Sequence, residues 1–233
     1  MSTASTNKNI NIVWFKRDLR INDHAPLFDA SMQNLPLLPL YVVEPNYWEM
    51  EFSSRRHWYF IHDCLSSLNA ELSNLGQPLI VQVGDVIERL KKINQLFNVQ
   101  SIFLHEETGN NWTYERDKKV QIWCKTNNIK LCEYPSNGVV RRLSSRNEWS
   151  KIRNKRMSDK IIPKPSKLNP LQKCVYKEFP SKTDIIFGDI NPSGRIPITF
   201  PKSLSQLPDY SDYSMDNRTY KFIDYEPMYP FGF

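Results

Sequence analysis

Short apolar runs recur along the first part of the chain: INIVWF (10–15), LLPLYVV (37–43), PLIVQV (78–83), SIFLH (101–105) and IKLCE (129–133). Each has the length of a strand. Between them the pattern changes period. From Ser53 to Leu75, the residues Trp58, Ile61, Leu65, Leu68 and Leu72 recur at spacings of three and four, and Gly76 follows as a C-cap. Asp85 with Glu88 three residues on is the Asp variant of a capping box and opens the next helix. A further helix spans about Asn111 to Asn127, and Ser145 with Glu148 opens another. Strand followed by helix, repeated five times, predicts an α/β fold: a Rossmann-like, five-stranded parallel sheet with helices on both faces.

In such a sheet ligands bind beyond the carboxyl ends of the strands, which here means the loops after Phe15, Val43, Val83 and His105. The seven glycines are scattered singly, so no glycine-rich phosphate cradle is available. The loop after the first strand instead carries Lys16, Arg17, Asp18, Arg20 and Asp23. After Lys160 the prolines at 163, 165, 170 and 180 predict a linker, 161–182, followed from 183 to 233 by an irregular, partly β tail. Residues 1–8 are expected to be a disordered N-terminus and 9–160 the folded α/β domain.

Composition adds three points. No stretch approaches the ~18–20 apolar residues of a membrane span, and the N-terminus has no signal-peptide core, which predicts a soluble, cytoplasmic protein with no membrane partner. Cys64, Cys124, Cys132 and Cys174 are too dispersed for a disulfide framework or a zinc site, so no metal is expected. The net charge of +6 is concentrated between Arg141 and Lys167, where ten Lys/Arg face only Glu148 and Asp159. This stretch reads as a solvated helix and linker, or as a basic patch (Arg141, Arg142, Arg146, Lys151, Arg153) for nucleic acid or an acidic partner. Trp149 is its only aromatic residue.

WFKRDLRINDHAPL resembles the first strand and loop of the photolyase/cryptochrome family. The similarity continues through LPLYVVEPNYW, SSRRHWYFIHDCLSSL, GDVIERL, HEETGNNWTYERDKKVQIWC and GVVRRLSSRNEWSKIRNKRM, over about residues 9 to 180. The resemblance implies an N-terminal α/β domain that holds an antenna pigment: a folate, a deazaflavin or a flavin. It also implies that the catalytic FAD belongs to a separate helical domain outside this chain, so that repair of DNA, and contact with it, requires such a partner. Arg17, Asp18, Arg20 and Asp23 match the family's charged loop, whose ion pairs and hydrogen bonds fix the loop and face the partner domain. Asp23 is also placed as N-cap of a helix from His24 to Ala30. For the pigment, the loop HEETGNN offers Glu106, Glu107 and Asn110, although a folate-binding relative is expected to carry a Glu near Asn110. Glu106 and Glu107 read equally as charges favouring the start of the helix near Asn111. The histidines His24, His57, His62 and His105 show no triad context, and the six tryptophans read as core packing.

The tail resembles a different family. GDINPSGRIPITFPKSLSQLPDYSDY with RTYKFIDYEPMYPFGF is similar to the C-terminal region of family 3 glycoside hydrolases, over about 184–233. Those enzymes use two carboxylates, both expected outside this segment, so no catalytic residue is assigned. Three functions therefore compete: an antenna domain without repair activity by itself, a docking module for an FAD domain or nucleic acid, and a remnant of a hydrolase fusion.

Overall fold

A computed structural model describes residues 8–171, apart from Asn137, Arg142 and Ser144. Five strands form one parallel sheet: β1 (Asn9–Phe15), β2 (Leu37–Val43), β3 (Ile80–Val83), β4 (Asn98–His105) and β5 (Lys130–Tyr134), in the order β3-β2-β1-β4-β5. The order reverses between β1 and β4, which sets the switch point beside the central strand. The connecting helices are α1 (Ala25–Ser31), α2 (Pro45–Trp48), α3 (Arg55–Asn74), α4 (Val86–Leu96) and α5 (Asn111–Thr126).

The inner strands β1 and β2 are buried almost end to end because the two faces of the sheet bury alternate residues in two cores. Ile10, Ile12 and Trp14 point toward α4 and α5, with Leu90, Ile93 and Val120. Val13 and Phe15 point the other way, toward α1 and α3, with Leu27, Leu65, Leu68 and Leu72. A register shift between Ile10 and Asn11 lets β4 keep this alternation along the rest of its pairing with β1.

The predicted caps are present with adjusted positions. Gly76, at φ +102°, closes α3 in a Schellman arrangement: its N–H donates to Ser73, and that of Gln77 to Leu72. Asp85 accepts from the Glu88 N–H at 3.1 Å. α3 starts at Arg55, because Ser54 caps it while the Ser53 hydroxyl donates to the Tyr47 carbonyl. Ser145 caps only a 3₁₀ turn, Arg146–Glu148, from which α6 (Trp149–Ser158) continues. Asp23 is not the cap of α1. That role falls to His24, whose Nδ1 accepts from the Leu27 N–H at 3.0 Å.

The stretch read as a linker from 161 lies on the domain as far as Leu171. Asp23 and Ile162 exchange two hydrogen bonds, Leu168 N–H donates to the Leu75 carbonyl, and Asn169 C=O accepts from Leu37 N–H. Leu168 and Leu171 are buried, one in each core. Proline spacing marks extended backbone, and the leucines between the prolines pack it down. The tail read from 183 lies outside the described residues.

Candidate functional site

The site is built at the carboxyl edge of the sheet, from the loops after β1, β2 and β4. The charged loop after β1 is a local scaffold centred on Asp18. Its Oδ1 accepts from the Lys16 N–H at 2.9 Å, while Oδ2 meets His24 Nε2 at 2.8 Å and His105 Nδ1 at 2.5 Å. Since His24 Nδ1 accepts from Leu27, its Nε2 carries the proton and donates to Asp18. Burial alone would raise the Asp18 pKa, but hydrogen bonds from His105 and His24 outweigh it and hold the carboxyl well below its ordinary value. Burial pushes His24 down, against the pull of Asp18.

Asp18, His24 and His105 offer three metal-ligand atoms close together. Both histidines, however, approach one oxygen at hydrogen-bonding distance, closer than the ~3 Å or more that separates atoms sharing an ion at about 2.0–2.2 Å. The cluster is therefore a hydrogen-bonded tie between the first helix and the end of β4. No spacing in the sequence reveals it, because His105 arrives from 87 residues away.

The other loop residues separate in role. Arg20 donates to the carbonyls of Asn22 and Asp23. Asp23 holds Ile162. Arg17 is exposed, and its guanidinium lies over the β4 loop at Gly109, where a Cβ would meet Arg17 Nη1 at 3.1 Å and Glu107 Oε1 at 2.7 Å. The absence of a Cβ at Gly109 lets these side chains approach its backbone closely.

Beside this scaffold opens a cleft of about 540 Å³. Trp14 and Tyr41 from the strands, Tyr47 and Trp48 from α2, and Phe52 and Phe60 make its walls largely aromatic. Tyr47 packs edge-on to Trp48 at 5.4 Å, and Trp48 in turn to Trp58 at 5.4 Å. The polar part of the lining centres on Arg116. Its guanidinium stacks over the Trp14 ring at 4.8 Å and pairs with Glu44 at 2.8 Å, Glu107 at 3.2 Å and Asp117 at 2.9 Å. Lys16 adds a second cation to Asp117 at 2.5 Å. Two cations against three carboxylates leave one negative charge in excess. Burial raises the Glu44 carboxyl against the opposing effect of Arg116.

Of the three pigment candidates, only Glu107 lines this cleft. Glu106 turns to the far side, 3.6 Å from Arg141 Nε, which also bonds Glu133 through its other nitrogen. Asn110 is the N-cap of α5, its carboxamide oxygen accepting from the Thr113 N–H at 2.9 Å. In the basic patch, Arg146 lies on the 3₁₀ turn and Lys151 and Arg153 on α6, while Arg142 is outside the described residues. Sequence reasoning missed Glu44, Arg116 and the α2 aromatics. The run Val43-Glu44-Pro45-Asn46-Tyr47-Trp48 carried a signal, since a strand end followed by a proline and two aromatics is a wall for a ring.

Fold and cleft together define a doubly wound α/β domain with an aromatic cleft at its carboxyl edge. A family model for DNA photolyase matches residues 11–149, more than half of the chain, and the chain belongs to that family. Residues 179–233 match the glycosyl hydrolase family 3 C-terminal domain, a match that begins at the end of the stretch read as a linker, 161–182. The chain is 28% identical over 138 residues to the chloroplastic/mitochondrial cryptochrome DASH of Solanum lycopersicum, covering 57% of this chain and 23% of that protein. Its last part is 52% identical over 50 residues to a xylan 1,4-beta-xylosidase of Xylanibacter ruminicola, covering 22% and 6%. Among solved structures, a class III photolyase from Agrobacterium tumefaciens superposes with a TM-score of 0.60 at 18% identity, over 74% of this chain and 37% of that one. An archaeal photolyase from Sulfolobus tokodaii, described with two FAD molecules and a novel light-harvesting cofactor, gives 0.56 at 21%, over 69% and 37%. The chain thus spans less than two fifths of each of these photolyase and cryptochrome relatives.

Proposed function

We propose that residues 9–171 form an antenna domain that holds a planar, light-absorbing heterocycle in the aromatic cleft. One observation carries this reading: a cleft of about 540 Å³ at the carboxyl edge, walled by stacked aromatic rings and supplied with a few fixed polar groups. That size and lining suit a ring system of drug-like dimensions.

The residues fit a flavin or a pterin. Trp48, Tyr47 and Phe52 offer ring faces and edges. Glu44 and Glu107, held by Arg116, offer carboxylate oxygens to ring N–H groups. Arg17 stands at the margin without an ion pair among the described residues, available to an anionic substituent. The pigment would supply near-ultraviolet or blue absorption. This chain's residues bind it, orient it and keep water from its apolar faces.

The test is an absorption spectrum of the purified chain, followed by denaturation, mass analysis of any released molecule, and titration with flavin mononucleotide and a reduced folate. Binding that Trp48→Ala weakens about tenfold or more supports the reading. A bare protein spectrum that neither compound changes would overturn it.

A further inference from the structure

A second cavity, of about 360 Å³, lies beside the aromatic cleft, between the loops that leave β1, β4 and β5. Those loops flank the switch point of the sheet, where doubly wound folds place ligands. The two cavities share Lys16, Arg17 and Glu107 but differ in character. Arg20, His105, Glu106, Thr108 and Ser136 line the second and not the cleft, and Val139 is the only hydrocarbon side chain among its described lining residues. Such walls offer nothing for an aromatic ring to stack on.

Two acceptors of this cavity are left without donors. The ionised Asp18 can only accept, so His105 Nδ1 carries the proton of their 2.5 Å bond, and Nε2 is the acceptor of the neutral ring. His105 is 4% exposed, yet its Nε2 has no hydrogen-bond partner among the described residues. His24 has no such spare atom, because its Nδ1 already accepts from Leu27. Glu106 Oε2 is likewise buried without a hydrogen bond, since Arg141 Nε stays 3.6 Å away. Buried acceptors are normally paired with protein, water or ligand.

The charges of the cavity leave a complementary surplus. Lys16 is committed to Asp117, Glu107 to Arg116, and Asp18 to the two histidines. Arg17 and Arg20 are exposed, and no carboxylate of a described residue lies within ion-pair distance of either. Arg20 donates through Nε and Nη2 to the carbonyls of Asn22 and Asp23, which holds its guanidinium in place and leaves Nη1 over.

We infer that this cavity is a binding site for a small phosphorylated sugar. The phosphate takes the guanidiniums of Arg17 and Arg20, and sugar hydroxyls donate to His105 Nε2 and Glu106 Oε2. Inorganic phosphate would satisfy the guanidiniums but bring no sugar hydroxyls to the acceptors. A free amino acid would set one negative charge against two guanidiniums, and its ammonium against a Glu106 that Arg141 already faces. A phosphorylated sugar supplies both the charge and the donors, and 360 Å³ lies within the ~300–1,000 Å³ of small-molecule sites. The site does not depend on a pigment bound in the cleft.

The experiment is an NMR titration of the isotope-labelled full chain with ribose 5-phosphate, inorganic phosphate, ribose and glycine. Ribose 5-phosphate should bind about tenfold or more tightly than either inorganic phosphate or ribose. Arg20→Gln should weaken it about tenfold. His105→Asn sets a carboxamide nitrogen where Nδ1 stood, so the bond to Asp18 is kept and only the Nε2 acceptor is lost. That variant should cost ribose 5-phosphate about fivefold and leave inorganic phosphate unchanged. Urea midpoints establish that both variants are folded, and if His105→Asn is not, the parent's preference among the four compounds and the Arg20→Gln result decide. The inference is overturned if ribose 5-phosphate does not bind, if it binds no better than inorganic phosphate, if a folded variant of either kind binds it like the parent, or if glycine binds more tightly.

Discussion

Arg116 on α5 donates to Glu44 at the end of β2 across 72 residues of sequence, at 2.8 Å. The same guanidinium also neutralises Glu107 and Asp117. Removing it would strand Glu44 and Glu107 beside Trp14 and leave Asp117 to Lys16 alone. We expect Arg116→Met to destabilise the fold by about 3–5 kcal/mol, the usual cost of breaking a buried charge network from one side. Urea unfolding followed by tryptophan fluorescence measures it, and a loss below about 1 kcal/mol would show the carboxylates to be solvated.

Glu106 and Glu107 are neighbours in the chain and share a polar pocket beside the β1 loop, but only Glu107 also lines the aromatic cleft. Glu107→Gln should weaken flavin binding several-fold, because it lines the aromatic cleft. Glu106→Gln should leave that affinity unchanged, since its carboxylate faces Arg141. Parallel fluorescence titrations of both variants decide the matter, and equal effects would remove Glu107 from the site.

The extended segment after α6 is part of the core, so Leu168→Ala should cost about 2–5 kcal/mol. A true linker position would cost almost nothing. The change in urea midpoint at constant slope separates the two.

Acid should destabilise the fold in two stages. His24 is held below its ordinary value of 6.5, chiefly by burial, so the unfolded chain takes up that proton first and stability falls as pH drops past that value. Asp18 is held well below 3.8, so its contribution is fully present above that value and is lost as pH falls through the folded one. Glu44 acts with the opposite sign. Its raised carboxyl gives stability that declines as pH rises from 4.5 through its folded value. Urea midpoints from neutral to acid pH should show the upper stage removed in His24→Asn, which keeps a capping side chain.

The sheet was legible in the sequence because buried parallel strands and amphipathic helices each carry their own period. Leu65, Leu68 and Leu72 announce α3 wherever they are met. The site was legible only in part. The position of the cleft followed from the fold, and Glu107, named from the sequence, lines it, but Arg116 looks like any charged residue on a helix until β2 brings Glu44 beside it. The Asp18 cluster is likewise a tertiary event, since His105 acquires its role from a carboxylate 87 residues away.

The path of residues 162–171 fixes where the domain hands on its chain. The segment begins beside Asp23 at the carboxyl edge and ends with Leu171 bonded to Gln77, just before β3, at the amino edge. A strand of seven residues such as β1 spans about 23 Å at ~3.3 Å per residue, so Leu171 stands roughly one sheet length from the cleft. A splice made beyond this point starts on the side of the molecule opposite the aromatic cleft. Sequence from an unrelated family can then be attached after Leu171 without rewriting any residue that shapes the cleft.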